Sequence, residues 1–520
     1  MLILAVSIGV LLAFRLPLVK YCARIGEIGG SDSQFHRWVF RLVKENKGHI
    51  RNLRNDTYLL DEARETGITY PLGFHKFLYH LGWTEEGLKR YGKYLATAWD
   101  TLLLILLFIA AMEFGEGVNW WFLILPLQFL FSVHRGRSYH FSERAFGVLM
   151  ANLYLLGALG FYVQGFTWYW LLCSFAGFFL FASSSKFAYQ ATIFLSVLLS
   201  IALLTPFFVL HWLSHFMIVS VLTRGYAVTV FSGSVRYLTF YHKVLTHIFE
   251  HYTRPIFRDL VRLPFRFFKQ PWRYTEEVWF RNPITLLVSG LPLNLAVLAM
   301  IIAEPTWDVW IIMWIIGIIL VVFISLPTLR FLGEPERYME HTLIALVVLL
   351  SRFTFSASSP LFAAVFILTI WGMIYTVRWR RLRYSERFAE VNHAEEEVSE
   401  FLVEESKKFV GRRVLLWTYV RASIRLVLDT DSYKVVGYLS GVEPKDWHRV
   451  KELFPQTHEA VNPDLEKITK EYSVDHIVID KVLTKRTQNR LGITYYEKRP
   501  GTVIFENDFF EVLRVEGAIS

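Results

Sequence analysis

The sequence predicts a polytopic α-helical membrane protein with a small C-terminal α/β domain. Of its 520 residues, 53% are hydrophobic and 17% are aromatic, and the mean hydropathy is +0.34. Apolar runs with almost no charge recur as far as residue 383, and the composition then becomes that of a soluble domain. A soluble protein of this length would not carry such an excess of apolar residues, so the apolar runs are predicted to span a membrane.

The net charge of +9 and the isoelectric point near 9.3 could indicate nucleic-acid binding. The basic residues are concentrated in loops between apolar runs, however, where anionic lipid headgroups are the nearer partner. We therefore expect membrane lipids, and no nucleic acid, among the partners. The two cysteines, Cys22 and Cys173, exclude a disulfide framework. Residues 1–19 lack the features of a cleavable signal peptide and are expected to be a retained first span.

We expect about ten or eleven spans. Arg15 interrupts the first and is expected to snorkel to an interface. The predicted spans are residues 2–18, 96–112, 120–133, 145–160, 163–183, 191–210, 284–303, 307–326, 343–350 and 361–375. Residues 210–222 are ambiguous, because they could form a short extra span, a re-entrant piece or a surface helix. With ten spans and a cytoplasmic start, residues 224–282 and the C-terminal region are cytoplasmic. With eleven, everything after Leu222 lies on the other side.

Two domains are predicted. Residues 1–383 form the multispan domain, with a long, structured, extracytoplasmic first loop at residues 20–95 and a basic amphipathic loop at residues 224–282 that suits a headgroup layer. Residues 384–520 form the soluble α/β domain, with an acidic helix at 389–409. Its strands are expected at residues 435–439, 476–479, 494–497, 502–505 and 510–515.

The first loop opens on a helix with chemically useful side chains. Ser31, with a glutamine three residues on, indicates a capping box. Asp32 then lies in the first turn, where the helix dipole favours an ionised carboxylate, and His36 shares its face. Arg37 and Arg41 share a neighbouring face. These groups at the mouth of a membrane helix suit a phosphate-bearing, lipid-linked substrate. The alternative is an interfacial amphipathic helix in which Asp32 lies at the N-terminus without a role in a site.

Two short charged loops lie between later spans. Residues 134–144 carry three arginines, two histidines and Glu143. A positive-inside loop explains the arginines but not Glu143, because a carboxylate near the start of a span is costly unless it is paired or used. Residues 333–341, with the sequence GEPERYMEH, form the second charged loop.

The arrangement resembles the C-type fold (GT-C) superfamily of integral-membrane glycosyltransferases. That superfamily includes the protein O-mannosyltransferases, the aminoarabinose transferases of lipid A and the oligosaccharyltransferase catalytic subunits. The resemblance rests on the long first loop with Asp32 near its start, on Tyr70-Pro71…His75, and on Ser142-Glu143-Arg144, where members carry a second acidic residue. Asp32 lacks an adjacent acidic residue and the soluble domain lacks a Trp-Trp-Asp motif, so oligosaccharyltransferase activity itself is not expected.

The resemblance implies transfer of a sugar from a polyprenyl-phosphate-linked donor to a glycan, lipid or protein acceptor at the extracytoplasmic face. The location would be the plasma (inner) membrane. Asp32 would be the general base, and arginine would neutralise the leaving phosphate through its bidentate fork. A divalent cation, Mg²⁺ or Mn²⁺, is the candidate cofactor. The candidate residues are Asp32, Glu143 and His36 for catalysis, Arg337, Tyr338, Arg144 and Arg135 for the donor phosphate, Tyr70, His75 and His140 for the acceptor or sugar, and Asp32 with Glu143 for the metal.

Three other functions compete with this one. A lipid-linked polysaccharide polymerase or ligase would depend on the basic residues of 135–144 and 211–251 instead of Asp32. A transporter or flippase for a lipid-linked sugar would show internal repeats and broken spans, and the sequence shows no such repeat. A non-catalytic scaffold is the third alternative.

Overall fold

A computed structural model describes residues 1–24, 30–51, 53, 56–60, 68–129, 141–246, 256–268, 278–303, 307–352, 359–383, 386–419, 423–437, 446–454, 460–492 and 494–515. The chain divides into two compact units. Residues 1–22, 87–230 and 254–383 form the first, which we call the membrane unit. Residues 23–86, 231–253 and 384–520 form the second, which we call the sheet unit.

The helices are numbered along the whole chain, over the described residues. Those of the membrane unit are α1 (Leu2–Arg24), α4 (Glu85–Phe114), α5 (Trp121–Gln128), α6 (Arg144–Gln164), α7 (Trp168–Ser184), α8 (Lys186–Ala202), α9 (Phe207–Leu222), the start of α10 (Tyr226–Phe240), α11 (Ile256–Phe267), α12 (Pro283–Ser289), α13 (Leu293–Ala303), α14 (Val309–Ile324), α15 (Leu343–Ser351) and α16 (Pro360–Arg383). Those of the sheet unit are α2 (Gly30–Glu45), α3 (Gly73–His80), the end of α10, α17 (Glu386–Ser406), α18 (Ser423–Asp429), α19 (Trp447–Leu453), α20 (Leu465–Tyr472) and α21 (Lys481–Leu491).

The membrane unit is built from apolar helices, which confirms the predicted polytopic fold class. Within the described residues, four helices (α1, α4, α6 and α16) are long and apolar enough to cross a membrane. Two further candidates are bent pairs, α9 with α10 at 118° and α12 with α13 at 82°. The helices α7, α8 and α14 are apolar but shorter. The ambiguous residues 210–222 therefore belong to one apolar helix, α9, that ends at a sharp bend.

Helices α6 and α7 approach so closely that their backbones touch. A Cβ atom on Gly157 of α6 would lie 2.4 Å from the backbone nitrogen of Ser174, and one on Gly177 of α7 would lie 2.5 Å from that of Tyr154. Small residues of this kind let membrane helices pack through van der Waals contact. The contact fixes α6, whose first residue is Arg144.

The prediction that Arg15 snorkels to an interface is wrong. Its side chain is 1% exposed and forms an ion pair with Asp100, which is 0% exposed. Arg15 lies on α1 and Asp100 on α4, so the pair joins two long apolar helices inside the membrane unit. A guanidinium in that interior is far more stable beside a carboxylate than alone, which is why the side chain points inward.

The sheet unit contains a mixed five-stranded sheet within the described residues. Its strands are β1 (Arg413–Trp417), β2 (Tyr433–Val435), β3 (His476–Asp480), β4 (Thr502–Glu506) and β5 (Phe510–Arg514), in the order β2-β1-β3-β5-β4. β1 is parallel to β2 and to β3, whereas β5 is antiparallel to β3 and β4.

A piece of the first loop extends this sheet beyond β2. Tyr58 forms a parallel bridge with Val435. The Val435 amide donates to the Thr57 carbonyl (2.7 Å), the Leu59 amide donates to the Val435 carbonyl (2.9 Å), and the Leu60 amide donates to the Gly437 carbonyl (3.0 Å). We call residues 57–60 the edge segment. It covers the otherwise open edge of β2, a position where unpaired backbone groups are a liability.

The side chains of the first loop continue the same contact. The Tyr58 hydroxyl lies 3.3 Å from Ser423 Oγ, and Arg412 donates to Asp56 at 2.5 Å. The carboxylate–guanidinium contact lowers the pKa of Asp56. Helix α2 packs on α18. The first loop and the C-terminal residues are therefore parts of one folded body.

Three details of the predicted sheet are wrong. β2 covers Tyr433–Val435 and not residues 435–439, since residues 436–437 are no longer in the strand and 438–439 lie outside the described residues. Residues 494–497 form no strand, because Tyr496 has a positive φ of 56°, which ends any extended run. The strand β1 was not expected, although its sequence, RVLLW, is a short apolar run after Gly411.

Replacing Asp100 by leucine leaves the buried guanidinium of Arg15 without its carboxylate. We expect the free energy of unfolding to fall by about 3–5 kcal/mol. The double variant Arg15→Met/Asp100→Leu should regain most of this loss, because neither charge is then buried. The unfolding free energies of both variants are measured by denaturing the purified protein with sodium dodecyl sulfate and monitoring the loss of structure by circular dichroism. A double variant no more stable than the single one would contradict the assignment.

Candidate functional site

The predicted site residues that the structure describes lie in two groups, one within each unit. His36, Tyr70 and His75 belong to the sheet unit, and Glu143, Arg144, Arg337 and Tyr338 belong to the membrane unit. Arg135 and His140 lie outside the described residues.

In the sheet unit, the two predicted histidines meet. His36 on α2 and His75 on α3 are joined by a hydrogen bond of 3.0 Å between Nδ1 and Nε2, and their rings are nearly parallel at 13°. Tyr70 lies beside them, with its ring centroid 6.1 Å from that of His36. One ring nitrogen of the pair carries the shared proton and the other accepts it.

These side chains are interior groups. His36 is 5% exposed, Tyr70 is 7% exposed and His75 is 0% exposed. The burial favours a positioning role, in which the histidine pair holds α3 against α2, over direct contact with a substrate.

Asp32 lies in the first turn of α2, one turn before His36, as the spacing predicts. Its side chain is outside the described part of the structure. The capping-box prediction, which starts the helix at Ser31, is wrong. Gly30 is already helical, so Ser31 lies inside α2 and is not its N-cap.

In the membrane unit, Arg144 meets the second charged loop. Arg144 Nη2 donates to Glu340 Oε1 at 2.7 Å, and its Nη1 lies 3.9 Å from Glu334 Oε2. Asn152, two turns further along α6, donates its Nδ2 to the Glu340 carbonyl at 3.0 Å. The 3₁₀ turn Pro335–His341 is thus held against the start of α6 by one charged and one neutral hydrogen bond.

Arg337 and Tyr338 differ in accessibility. Arg337 Nε donates to Glu334 Oε2 at 2.5 Å, and its side chain is 30% exposed. Tyr338 is 0% exposed. Its hydroxyl donates to the Leu332 carbonyl (3.2 Å) and accepts from Gln190 Nε2 (2.5 Å). Of the two, Arg337 is the residue with an accessible charged group, whereas Tyr338 anchors the turn from inside.

Glu143 directly precedes α6. Its carbonyl accepts the Gly147 amide at 2.7 Å, as the first turn of the helix requires, and its side chain is partly exposed. The predicted metal ligands are Asp32 and Glu143. Among the described residues, no group of three or more His, Cys, Asp or Glu side chains is arranged to hold a metal ion. The cation stays a prediction, because the Asp32 carboxylate is not among them.

Sequence reasoning found the arginines but not their partners. Glu334 and Glu340 both lie in the charged loop at residues 333–341, so the signal was present, but their assignment to particular arginines needs the tertiary structure. Asn152 and Gln190 gave no signal, because a single amide in an apolar helix has no characteristic spacing.

The histidines of the rival interpretation are also interior. His211 and His215 on α9 each place Nε2 3.1 Å from Ser174 Oγ of α7. They are 8% and 2% exposed, and phenylalanine rings pack around them. This arrangement is typical of polar groups that join two membrane helices.

The pKa of Glu336 is shifted by the burial of its carboxyl group and by the charge of the neighbouring Glu334. Burial, and then the Glu334 carboxylate, raise the pKa of Glu336 from 4.5 to about 7. A carboxyl group with a raised pKa in the folded state stabilises the fold at low pH and loses that contribution as the pH rises through the folded value.

We therefore expect Glu336→Gln, which cannot ionise, to gain melting temperature relative to the parent protein between about pH 5 and pH 8. Thermal unfolding of the purified protein at both pH values measures the difference. The control is Glu116→Gln, at an exposed position. Its melting temperature should differ from that of the parent protein by the same amount at both pH values. A difference for Glu336→Gln that does not vary with pH would contradict the raised pKa of this half-buried carboxyl group.

No protein-family model and no curated protein sequence matches the chain. Among solved structures, the chain is similar to the crystal structure of ArnT from Cupriavidus metallidurans in the apo state. The TM-score is 0.52 at 10% sequence identity, over 97% of this chain and 97% of that chain. ArnT is a GT-C glycosyltransferase. At this identity the likeness concerns the fold alone, and at that level it bears out the resemblance drawn from the sequence: the chain has an ArnT-like polytopic fold.

Proposed function

We propose that the protein is an integral-membrane glycosyltransferase that moves a sugar from a polyprenyl-phosphate-linked donor to an acceptor at the extracytoplasmic face. The observation that carries this proposal is the likeness to ArnT over almost the whole of both chains. A fold does not by itself fix a function, so the proposal also needs groups suited to the chemistry.

The first such group is the arginine pair of the membrane unit. Arg144 and Arg337 approach the same carboxylate oxygen, so they can bind one anionic group together. Guanidinium groups bind phosphate oxygens in bidentate fashion and remain charged at every physiological pH. They would stabilise the charge that develops on the leaving phosphate.

The second group is the carboxylate of Asp32. In the proposed step, Asp32 takes the proton of the acceptor hydroxyl while the hydroxyl oxygen attacks the anomeric carbon of the donor sugar. The new bond between carbon and oxygen forms as the bond from the anomeric carbon to the phosphate oxygen breaks. The polyprenyl phosphate leaves with that electron pair, and the anomeric configuration is inverted. The His36–His75 pair would hold α2 so that Asp32 is presented correctly.

The sidedness of the sheet unit supports the proposal. We infer that the first loop and the C-terminal residues share one side of the membrane, because the edge segment is paired with β2 within one folded unit. Of the two span counts predicted from the sequence, eleven fits this inference. We assign that side as extracytoplasmic, where lipid-linked sugars meet their acceptors, and the membrane as the plasma (inner) membrane. The multi-pass character itself follows from the apolar helices.

A polymerase or ligase that uses the histidines of α9 is less well supported, because His211 and His215 are enclosed by aromatic rings and bonded to Ser174. A transporter would need the bent pairs α9–α10 and α12–α13 to occupy corresponding places in two repeats. The sequence contains no such repeat.

The test is transfer of radiolabelled sugar from lipid-linked donors in membranes that contain the parent protein or Asp32→Asn. Because the amide cannot accept the proton, we expect transfer to fall by about a hundredfold or more. The matched control is Asp56→Asn in the same loop, whose carboxylate is 62% exposed and pairs with Arg412. This variant should keep nearly all activity.

The same membranes with a chelator added test the proposed cation. Unchanged transfer by Asp32→Asn, at matched expression, would contradict the assigned base. Activity that depends on His211 or His215 but not on Asp32 would favour the polymerase or ligase alternative.

A further inference from the structure

Helix α11 (Ile256–Phe267) has an apolar face that the membrane unit leaves uncovered. Phe257, Val261 and Phe265 follow one another at intervals of four residues, so they share one face of the helix. All three side chains are exposed, and those of Val261 and Phe265 are 70% and 74% exposed. An exposed apolar stripe along a helix of strongly amphipathic sequence is typical of a helix that lies in the plane of a membrane interface.

Two arginines line one edge of this apolar stripe. Arg258 and Arg262 each follow a stripe residue by one position, which places them about 100° further round the helix. Both side chains are exposed. Among the described residues, neither guanidinium has a carboxylate partner, whereas the partly exposed Arg352 of the same unit is paired with Asp308. The charges of Arg258 and Arg262 are therefore available to a partner outside the chain.

Another side of α11 is fixed to the membrane unit. Ile256 is buried, and its carbonyl accepts a hydrogen bond of 2.9 Å from Asn282 Nδ2. Asp259 interacts electrostatically with Arg330, a buried arginine. Ile256 and Asp259 share a face because they are three residues apart. By the helical spacing, the two arginines lie between this anchored face and the apolar stripe, so the helix is held with its stripe turned outward.

We propose that α11 is a binding site for anionic phospholipids: the apolar stripe enters the acyl layer, and Arg258 and Arg262 bind the phosphates of headgroups that carry a net negative charge. In this orientation the arginine stems run along the apolar face and the guanidinium groups reach the headgroup level. Residues 224–282 as a whole suit a headgroup layer, and these two arginines make the contact selective for charge. The inference does not depend on the proposed sugar transfer.

The open shape of the site favours a bulk phospholipid over the lipid-linked donor. The stripe and both arginines are exposed along about two turns of the helix. An open face of this kind selects by charge, through guanidinium–phosphate contacts. Recognition of a lipid-linked sugar needs a concave site with several convergent polar groups, and the described side chains of α11 form no such site.

The experiment compares two lipids beside α11 in the full-length protein, reconstituted in lipid nanodiscs. The reporter is a fluorophore on Val261→Cys, between the two arginines, in a background with Cys22 and Cys173 replaced by alanine. Spin-labelled phosphatidylglycerol and spin-labelled phosphatidylcholine each quench the fluorophore when they bind next to it. We expect a preference for phosphatidylglycerol, and we expect Arg258→Gln/Arg262→Gln to lower that preference by about fivefold or more.

Two controls separate a local site from a general effect of charge. The first places the reporter on α16 as Ile367→Cys, a position that is 63% exposed and lies well before the basic end of that helix. The preference there should be small and should not change with Arg258→Gln/Arg262→Gln. The second is Arg258→Lys/Arg262→Lys, which keeps both charges and should retain most of the preference at the α11 reporter. Both double variants should melt near the parent protein, because the replaced side chains are exposed.

Three results would overturn the proposal. The first is equal quenching by the two lipids at the α11 reporter, or a preference that the glutamine variant leaves unchanged. The second is an equal fall in preference at both reporters, because the effect would then be one of net charge. The third is displacement of phosphatidylglycerol from α11 by a much smaller amount of added polyprenyl phosphate, which would assign the site to the donor lipid instead.

Discussion

The backbone pairing between the edge segment and β2 is the constraint on which the rest of the sheet unit depends. Three hydrogen bonds join residues 57–60 to residues 435–437. Each contributes only about 1 kcal/mol net, but leaving these groups unpaired in a buried position would cost more. The pairing is reinforced by Tyr58, whose hydroxyl meets Ser423 and whose ring meets Trp38 of α2 edge to face. The C-terminal residues thereby carry the helix on which Asp32 lies.

This arrangement gives the motif-free C-terminal region a physical role. It contains no phosphate-binding glycine pattern in its sequence, yet α18 packs directly on α2. His36 of α2 is also bonded to His75 of α3. The contacts with α18 and α3 hold α2 in place. General-base catalysis by Asp32 would require such a fixed helix.

The membrane unit uses buried charges for a similar purpose. Arg15 with Asp100, and Arg144 with Glu340, each join elements that are distant in sequence. Such pairs are expensive to bury, so they persist only where both partners are held in good geometry. The Arg144–Glu340 pair differs from the first because its guanidinium also approaches the partly exposed carboxylate of Glu334.

The sequence was sufficient for the fold class and for the helix that carries Asp32, because hydropathy and a carboxylate in a first turn are local signals. It also named both His36, for catalysis, and His75, for the acceptor or sugar, although their hydrogen bond could not be foreseen. Arg15 was assigned to an interface because its partner, Asp100, lies in a different helix. The addition of the edge segment to the sheet was equally inaccessible, since residues 57–60 resemble any polar loop and their register depends on β2. Pairings between distant segments depend on three-dimensional packing, and a single sequence does not record them.

The shared side of the first loop and the C-terminal region is the claim on which the account depends, and thiol labelling tests it directly. In a background with Cys22 and Cys173 replaced by alanine, single cysteines are introduced as Glu45→Cys in α2, Lys470→Cys in α20 and Glu116→Cys after α4, all at exposed positions. Intact cells are treated with a membrane-impermeant maleimide. The account predicts that the cysteines at positions 45 and 470 react, and that the one at position 116, one crossing further on, reacts only after permeabilisation. Labelling of position 470 together with position 116, and not with position 45, would contradict it.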